Sequence, residues 1–229
     1  MIDLCAAATA AILSEVIAMF EERLAPLVVY RARTLIRERV LEPFMEINTP
    51  FFWETADFNW SAVCAGNIGI AAIYMIDDSD MLAPILSRVV DSMDCFLSGF
   101  GKDGVCQEGL GYWDYGFGNF IYFADLLLRR TDGAIDLFAD EHVKTVALFE
   151  QRSFLDGIHA ISFSDCAPNV QYEYAVAYYL KKRYPEVEIP PLTCAKPMMG
   201  NTEYWTVVVR NFLWSDPDEP ICFLKMPSG

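Results

Sequence analysis

From Asn59 to Ile76 the chain reads NWSAVCAGNIGIAAIYMI, without one charged side chain. A helix with one wet face carries a polar stripe along it. This run has none, so a helix over 58–76 is buried on most sides. Such a helix needs other helices to cover it, and the flanking sequence supplies them. Apolar positions recur at helical spacing over 3–24 and again over 26–46, where Pro26 suits a first turn. Leu27, Tyr30, Leu35, Ile36, Val40 and Phe44 form the apolar set of that second helix. Asn48-Thr49-Pro50 interrupts the pattern, and Asp77-Asp78-Ser79-Asp80 offers an N-cap for a helix over 79–99.

Helical spacing continues at about 112–130, stopped by Thr131-Asp132-Gly133, then over 135–152, 170–184 and 201–213. Residues 153–169, including HAISFSDCAPN, are irregular with room for a short strand. A Pro-rich loop (Pro190, Pro191, Pro197) precedes the last helix. About eight helices with short connections predict an all-α chain of antiparallel hairpins, either a bundle or a toroid. The all-apolar helix favours a two-layered array.

Composition narrows the function. Hydrophobic residues make up 54% of the 229, enough for a real core and too many for disorder. The net charge of −15 disfavours nucleic acid and anionic membrane as partners. The basic residues cluster once, at Arg31, Arg33, Arg37 and Arg39, whose helical spacing reads as a solvated face. Seven cysteines, an odd number without a CxxC, imply neither a disulfide framework nor a zinc site. Cys64 and Cys95 read as buried free thiols. No cofactor is implied: P-loop, dinucleotide fingerprint and Ser-His-Asp order are lacking. The N-terminal segment has no basic n-region and acids interrupt it at Glu15, Glu21 and Glu22, so it reads as an amphipathic helix rather than a leader or membrane span. That makes cytoplasmic the default, and secreted or periplasmic the expectation if a leader precedes it.

The chemistry concentrates in Asp103–Phe120, DGVCQEGLGYWDYGFGNF. Glu108, Tyr112, Trp113, Asp114 and Tyr115 sit there among Gly104, Gly109, Gly111, Gly116 and Gly118. Interior glycines cost a helix about 1 kcal/mol each, and cores rarely gather carboxylates beside phenols. Aromatic faces, carboxylates and close-approach glycines suit a carbohydrate cleft. A Gly-rich turn leading into an aromatic packing helix is the competing reading.

Two motifs, Asn59-Trp60-Ser61-Ala62-Val63-Cys64-Ala65-Gly66-Asn67 and Asp103-Gly104 through Glu108-Gly109 to Gly111-Tyr112-Trp113-Asp114-Tyr115-Gly116, together resemble the helical-toroid half of heparinase II/III-like polysaccharide lyases. Trp53, Phe163-Ser164-Asp165 and Asn211-Phe212-Leu213-Trp214 agree with it. The resemblance covers 1–216 and implies an incomplete (α/α) toroid, with 217–229 the start of a linker to a missing β-sandwich domain. It also implies that the chain starts inside the toroid. The implied activity is β-elimination of uronic-acid-containing polysaccharide, with an acidic polysaccharide or oligosaccharide as partner.

Residue by residue, the resemblance implies that Asn59 holds the substrate carboxylate and Tyr115 is the catalytic acid or base, with Tyr112 its competitor. From their own chemistry, Glu108 is expected to orient substrate or share a proton, Trp60 and Trp113 to serve as sugar-stacking platforms, and His159 to face the cleft. Each has a plainer role: Asn59 an N-cap, Glu108 a helix cap, the aromatics packing. The family takes a histidine from its β-sandwich, so the chain alone is expected to turn substrate over poorly. It is also expected to expose an apolar face around Phe212, Leu213, Trp214, Ile221 and Phe223. Two alternatives stand beside the lyase. One is a glycoside hydrolase using two of Asp103, Glu108 and Asp114, which needs carboxylates about 5–9.5 Å apart. The other is a non-catalytic carbohydrate-binding fragment.

Overall fold

The computed structural model describes residues 2–47, 49–155, 159–190, 194–196 and 205–214. The chain is all-α: among the described residues the only β pairings are the isolated bridges Phe154–Ala160 and Tyr172–Ala195. It divides into two compact units, one of residues 1–100 with 115–137, the other of 101–114 with 138–229. The division runs inside the stretch read as one toroid domain over 1–216.

In the first unit, α1 (Leu4–Phe20) is capped by Asp3, whose carboxylate accepts from the Ala6 amide at 2.8 Å. With its 3-10 extension it spans Leu4–Arg23, long and apolar enough by length and composition to cross a membrane. Its small-residue stripe, Ala7, Ala10 and Ala11, is instead buried, and the helix packs along α4. The expected helix over 26–46 is present with one deviation. It runs as α2 (Pro26–Ile36), a π-helical turn Arg37–Leu41 and α3 (Glu42–Glu46). Pro43 gives a physical reason: it has no N–H to donate and its ring crowds the carbonyl four residues back. Widening the preceding turn, so that the Glu42 amide reaches Arg37 O, relieves the crowding and keeps the helix continuous.

The central element is α4 (Asn59–Met75), buried continuously from Ser61 to Ala72 as its composition predicted. Helix α5 (Ser79–Ser98) begins at Asp78, whose carboxylate accepts from the Asp80 amide at 2.9 Å. Buried Glu54 and Arg88 pair at 2.7 Å, and Arg88 also donates to Phe44 O, which ties α5 to the connection before α4. The end of α6 (Leu110–Arg130) completes this unit. Gly69 of α4 lies against Phe123 so closely that a Cβ there would sit 2.4 Å from the ring. Asp132 and Gly133 adopt positive φ and end α6, with the Gly133 amide reaching Leu128 O at 2.8 Å.

The second unit holds α7 (Glu141–Ala147), α8 (Phe149–Ser153), α9 (Tyr174–Arg183) and α10 (Trp205–Leu213). The single helix expected over 135–152 is divided. Asp140 turns extended and caps α7 by accepting from the His142 amide at 2.8 Å, and a bend at Leu148 separates α8. A core of Tyr172, Tyr174, Ala177, Tyr178, Cys194 and Ala195 is partly covered by Phe154 and Ile189. Phe212 and Leu213 are exposed as expected of an apolar face, but Trp214 is buried with its ring 4.4 Å from that of Tyr179. Ile221, Phe223 and the linker read over 217–229 lie outside the described residues.

Candidate functional site

In the first unit the structure brings Asn59 against Gly116 of α6, the residue after Tyr115. A Cβ on Gly116 would lie 3.0 Å from the Phe96 ring and 3.2 Å from Asn59 Cβ, so glycine there eases close packing against both. Asn59 is not the N-cap its plainer reading suggested. Phe58 holds that position, and Asn59 is the first helical residue, buried. Tyr115 is half-buried. Its main-chain oxygen accepts from Asn119 Nδ2 at 2.8 Å, while Asn119 Oδ1 accepts from Asn67 Nδ2 at 2.8 Å. A polar thread therefore runs from Tyr115 into the apolar α4 face. Trp60 is half-buried beside exposed Phe52, their ring centroids 5.3 Å apart.

The second unit holds the other candidates. The loop before α6 turns at Gly104 and Gly109, both at positive φ, which glycine adopts without strain. A Cβ on Gly104 would strike Thr145 O at 2.4 Å, and one on Gly109 would strike Cys166 Cβ at 2.5 Å. These glycines serve packing of the loop onto α7 and onto the Phe163–Cys166 segment, rather than approach by a ligand. Glu108 and Tyr112 are half-buried, and His159 is exposed, its carbonyl accepting from the Leu155 amide at 2.8 Å. Trp113 is corrected: it is fully buried and donates from Nε1 to Val146 O at 3.0 Å. A ring sealed in the core has no face for a sugar.

The residue between the motif's aromatics leads elsewhere. Asp114 is buried, and its Oδ2 accepts from Lys196 Nζ at 2.6 Å. The same ammonium lies 2.9 Å from Glu173 Oε1, at the N-cap of α9. Lys196 is held in place by main-chain bonds around the Tyr172 bridge: its amide donates to Tyr172 O at 2.9 Å. Buried Glu150 of α8 is electrostatically coupled to this group.

Two carboxylates thus share one ammonium, with Glu150 near enough to feel their charge, and Asp114 Oδ1, Glu150 Oε1 and Glu173 Oε2 are buried without a hydrogen-bond partner. Burial, then the charge of Asp114, pushes the Glu150 carboxyl well above the usual range. Burial likewise raises Asp114 and Glu173, with Lys196 opposing in both. Burial alone would depress Lys196, but the charges of Asp114 and Glu173 outweigh it and hold the ammonium above its ordinary value. The cluster can store a proton on Glu150 while Lys196 stays charged. Tyr172, pushed up by burial and by Glu150, donates to Pro190 O at 2.8 Å.

Sequence reasoning missed Lys196, Glu173 and Glu150. The one signal was Asp114 itself: a carboxylate on a buried helical face calls for a cation, but nothing local says which. Among the described residues no three His, Cys, Asp or Glu side chains are placed to hold a metal ion. Of the thiols, Cys64 is buried and pushed up to about 12 by that burial, whereas Cys95 is only half-buried. No protein-family model matches the chain, and no curated protein matches it significantly.

Proposed function

We propose that the chain is a helical-toroid component of a polysaccharide lyase of the heparinase II/III-like kind, acting on uronic-acid-containing polysaccharide by β-elimination. The observation that carries this reading is the packing of Asn59 against Gly116, next to Tyr115 in the chain. Asn59 and Gly116, the residue after Tyr115, are neighbours in one unit, at a glycine that also packs against Phe96. β-Elimination removes a proton from the carbon next to a carboxylate, and charge builds on that carboxylate in the transition state. A preorganised amide donor stabilises it, the role proposed for Asn59. Tyr115 Oη takes that proton or gives one to the departing glycosidic oxygen, whose bond to the β-carbon breaks as the double bond forms, and Trp60 with Phe52 offers the sugar an aromatic surface. Glu108, Tyr112 and exposed His159 belong to the other unit.

The hydrolase alternative is weakened by Asp114, whose carboxylate is committed to Lys196 inside the protein. Asp103 is exposed and Glu108 half-buried.

The test is incubation with uronate polysaccharides, following the ultraviolet absorbance of the unsaturated uronate product. A slow signal is expected, lowered by about 10²–10⁴-fold in Tyr115→Phe, the range general acid–base catalysis supplies. Binding of acidic oligosaccharide should weaken in Asn59→Ala. Binding without any ultraviolet product supports a carbohydrate-binding module instead. Reducing sugar released without absorbance supports a hydrolase, and neither binding nor product sinks the proposal.

A further inference from the structure

Helix α2 buries one stripe, Val29, Ala32 and Ile36, against the first unit. Its other side, read from sequence as a solvated face, is strongly apolar. Leu27, Val28, Tyr30 and Leu35 are exposed, Leu27 and Tyr30 at 67% and 68%. Single exposed apolar residues are ordinary, but four within one eleven-residue helix form a patch, and such patches mark interaction surfaces. Exposed Arg31 stands among them: Val28, Arg31 and Leu35 follow one another at three- and four-residue steps along one side. Arg33 and Arg37 already pair with Glu21 and Glu42, whereas Arg31 has no ion-pair partner among the described residues. The face is an apolar ridge carrying an uncommitted positive charge.

Its complement lies beside it. Between α3 and the start of α5 a cavity of about 330 Å³ is lined by Phe44, Met45, Met81, Pro84 and Ile85. Met45 and Met81 are exposed, and flexible thioethers adapt to whatever packs on them. The cation of this socket, Arg88, is committed inside the protein, to Glu54 at 2.7 Å and to the Phe44 carbonyl. Asp80 is left at the lip with Asp77 close by in sequence, both exposed, so the socket is acidic. Tyr30 and Arg33 of α2 line the same hollow as Met45, Met81 and Asp77, which sets ridge and socket side by side on one surface.

A surface holding both a basic apolar ridge and an acidic apolar socket is self-complementary. A two-fold rotation seats each ridge at the other copy's socket, so every contact is made twice. A basic peptide from another protein would fill the socket and leave the ridge bare, whereas a second copy covers both. We propose that this surface is a homodimer interface, with Leu27, Val28 and Tyr30 of each copy packed on Met45 and Met81 of the other and Arg31 facing Asp77 and Asp80. The contact does not involve Asn59 or Tyr115, and it stands whether or not the lyase reading does.

The experiment is sedimentation equilibrium of the whole chain over a concentration series, in which a monomer–dimer equilibrium is expected. Arg31→Glu and Asp80→Lys change exposed side chains, so each variant should keep its helical circular dichroism. Each alone sets like charges face to face twice and should weaken self-association by about tenfold or more. Mixed one to one, the two variants should dimerise again, because each contact then joins opposite charges. A mixture that stays monomeric overturns the proposal, and so does a dimer that neither variant weakens. A natural chain that is monomeric throughout overturns it too. Cosedimentation of that monomer with phosphatidylglycerol vesicles would assign the ridge to a membrane surface instead.

Discussion

Glu150 shows how one side chain can set a pH dependence. Its carboxyl is buried at 3% exposure and raised well above 4.5, its ordinary value. The folded state therefore binds a proton that the unfolded chain releases between about pH 4.5 and the raised value. Stability from this group is full below the unfolded pKa and is lost as pH rises toward the folded one. Each unit of upward shift is worth about 1.4 kcal/mol. Glu150→Gln keeps the shape without the titration, so its stability relative to the natural protein should climb between pH 5 and pH 8. Denaturant unfolding at both pH values checks this, and parallel stability curves would refute it. The cluster was only half legible beforehand: Asp114 stood out in its motif, but its cation lies 82 residues away in a Pro-rich stretch.

At the scale of elements, the glycines separate what a helix wants from what a helix pair wants. Alanine improves an isolated helix over glycine by about 1 kcal/mol. By that rule Gly69→Ala and Gly111→Ala should both help. The packing says otherwise: a Cβ at Gly69 meets the fully buried Phe123 ring at 2.4 Å, whereas one at Gly111 meets nothing within 4 Å. Gly69→Ala should cost about 1–3 kcal/mol by overpacking, and Gly111→Ala should gain about 0.5 kcal/mol. Thermal melts of the two variants decide, and shifts of the same sign would refute the packing argument. The helices themselves were readable from periodicity and from caps such as Asp78. The π turn and the division of 135–152 were not, because both answer local backbone bonding at Pro43 and Asp140 that apolar spacing does not register.

For the whole molecule, charge is the dominant global quantity. Asp and Glu number 32 against 17 Lys and Arg, a net −15. Like charges repel more in the compact state than in the unfolded chain, and salt screens them over a Debye length of about 10 Å at 0.1 M. Raising sodium chloride from about 20 mM to 300 mM should therefore raise the melting temperature. The exposed ion pairs, such as Arg33 with Glu21, weaken in salt but contribute too little to reverse the trend. A lower melting temperature in salt would show that attractive pairs outweigh the net repulsion.

The all-α class, the position of nearly every helix and the deep burial of α4 follow from the sequence alone. They depend on apolar spacing within a few turns and on the absence of charge from 59 to 76, properties that any window of the chain already contains. The neighbours of each side chain were decided by the tertiary structure. It sealed Trp113 against Val146, set Asn59 on Gly116, gave Asp114 and Glu173 one shared lysine, and turned two surface arginines toward a cavity. Those outcomes depend on which distant segments meet when the loops close and on whether a Cβ fits between them. Spacing along the chain carries no measure of either.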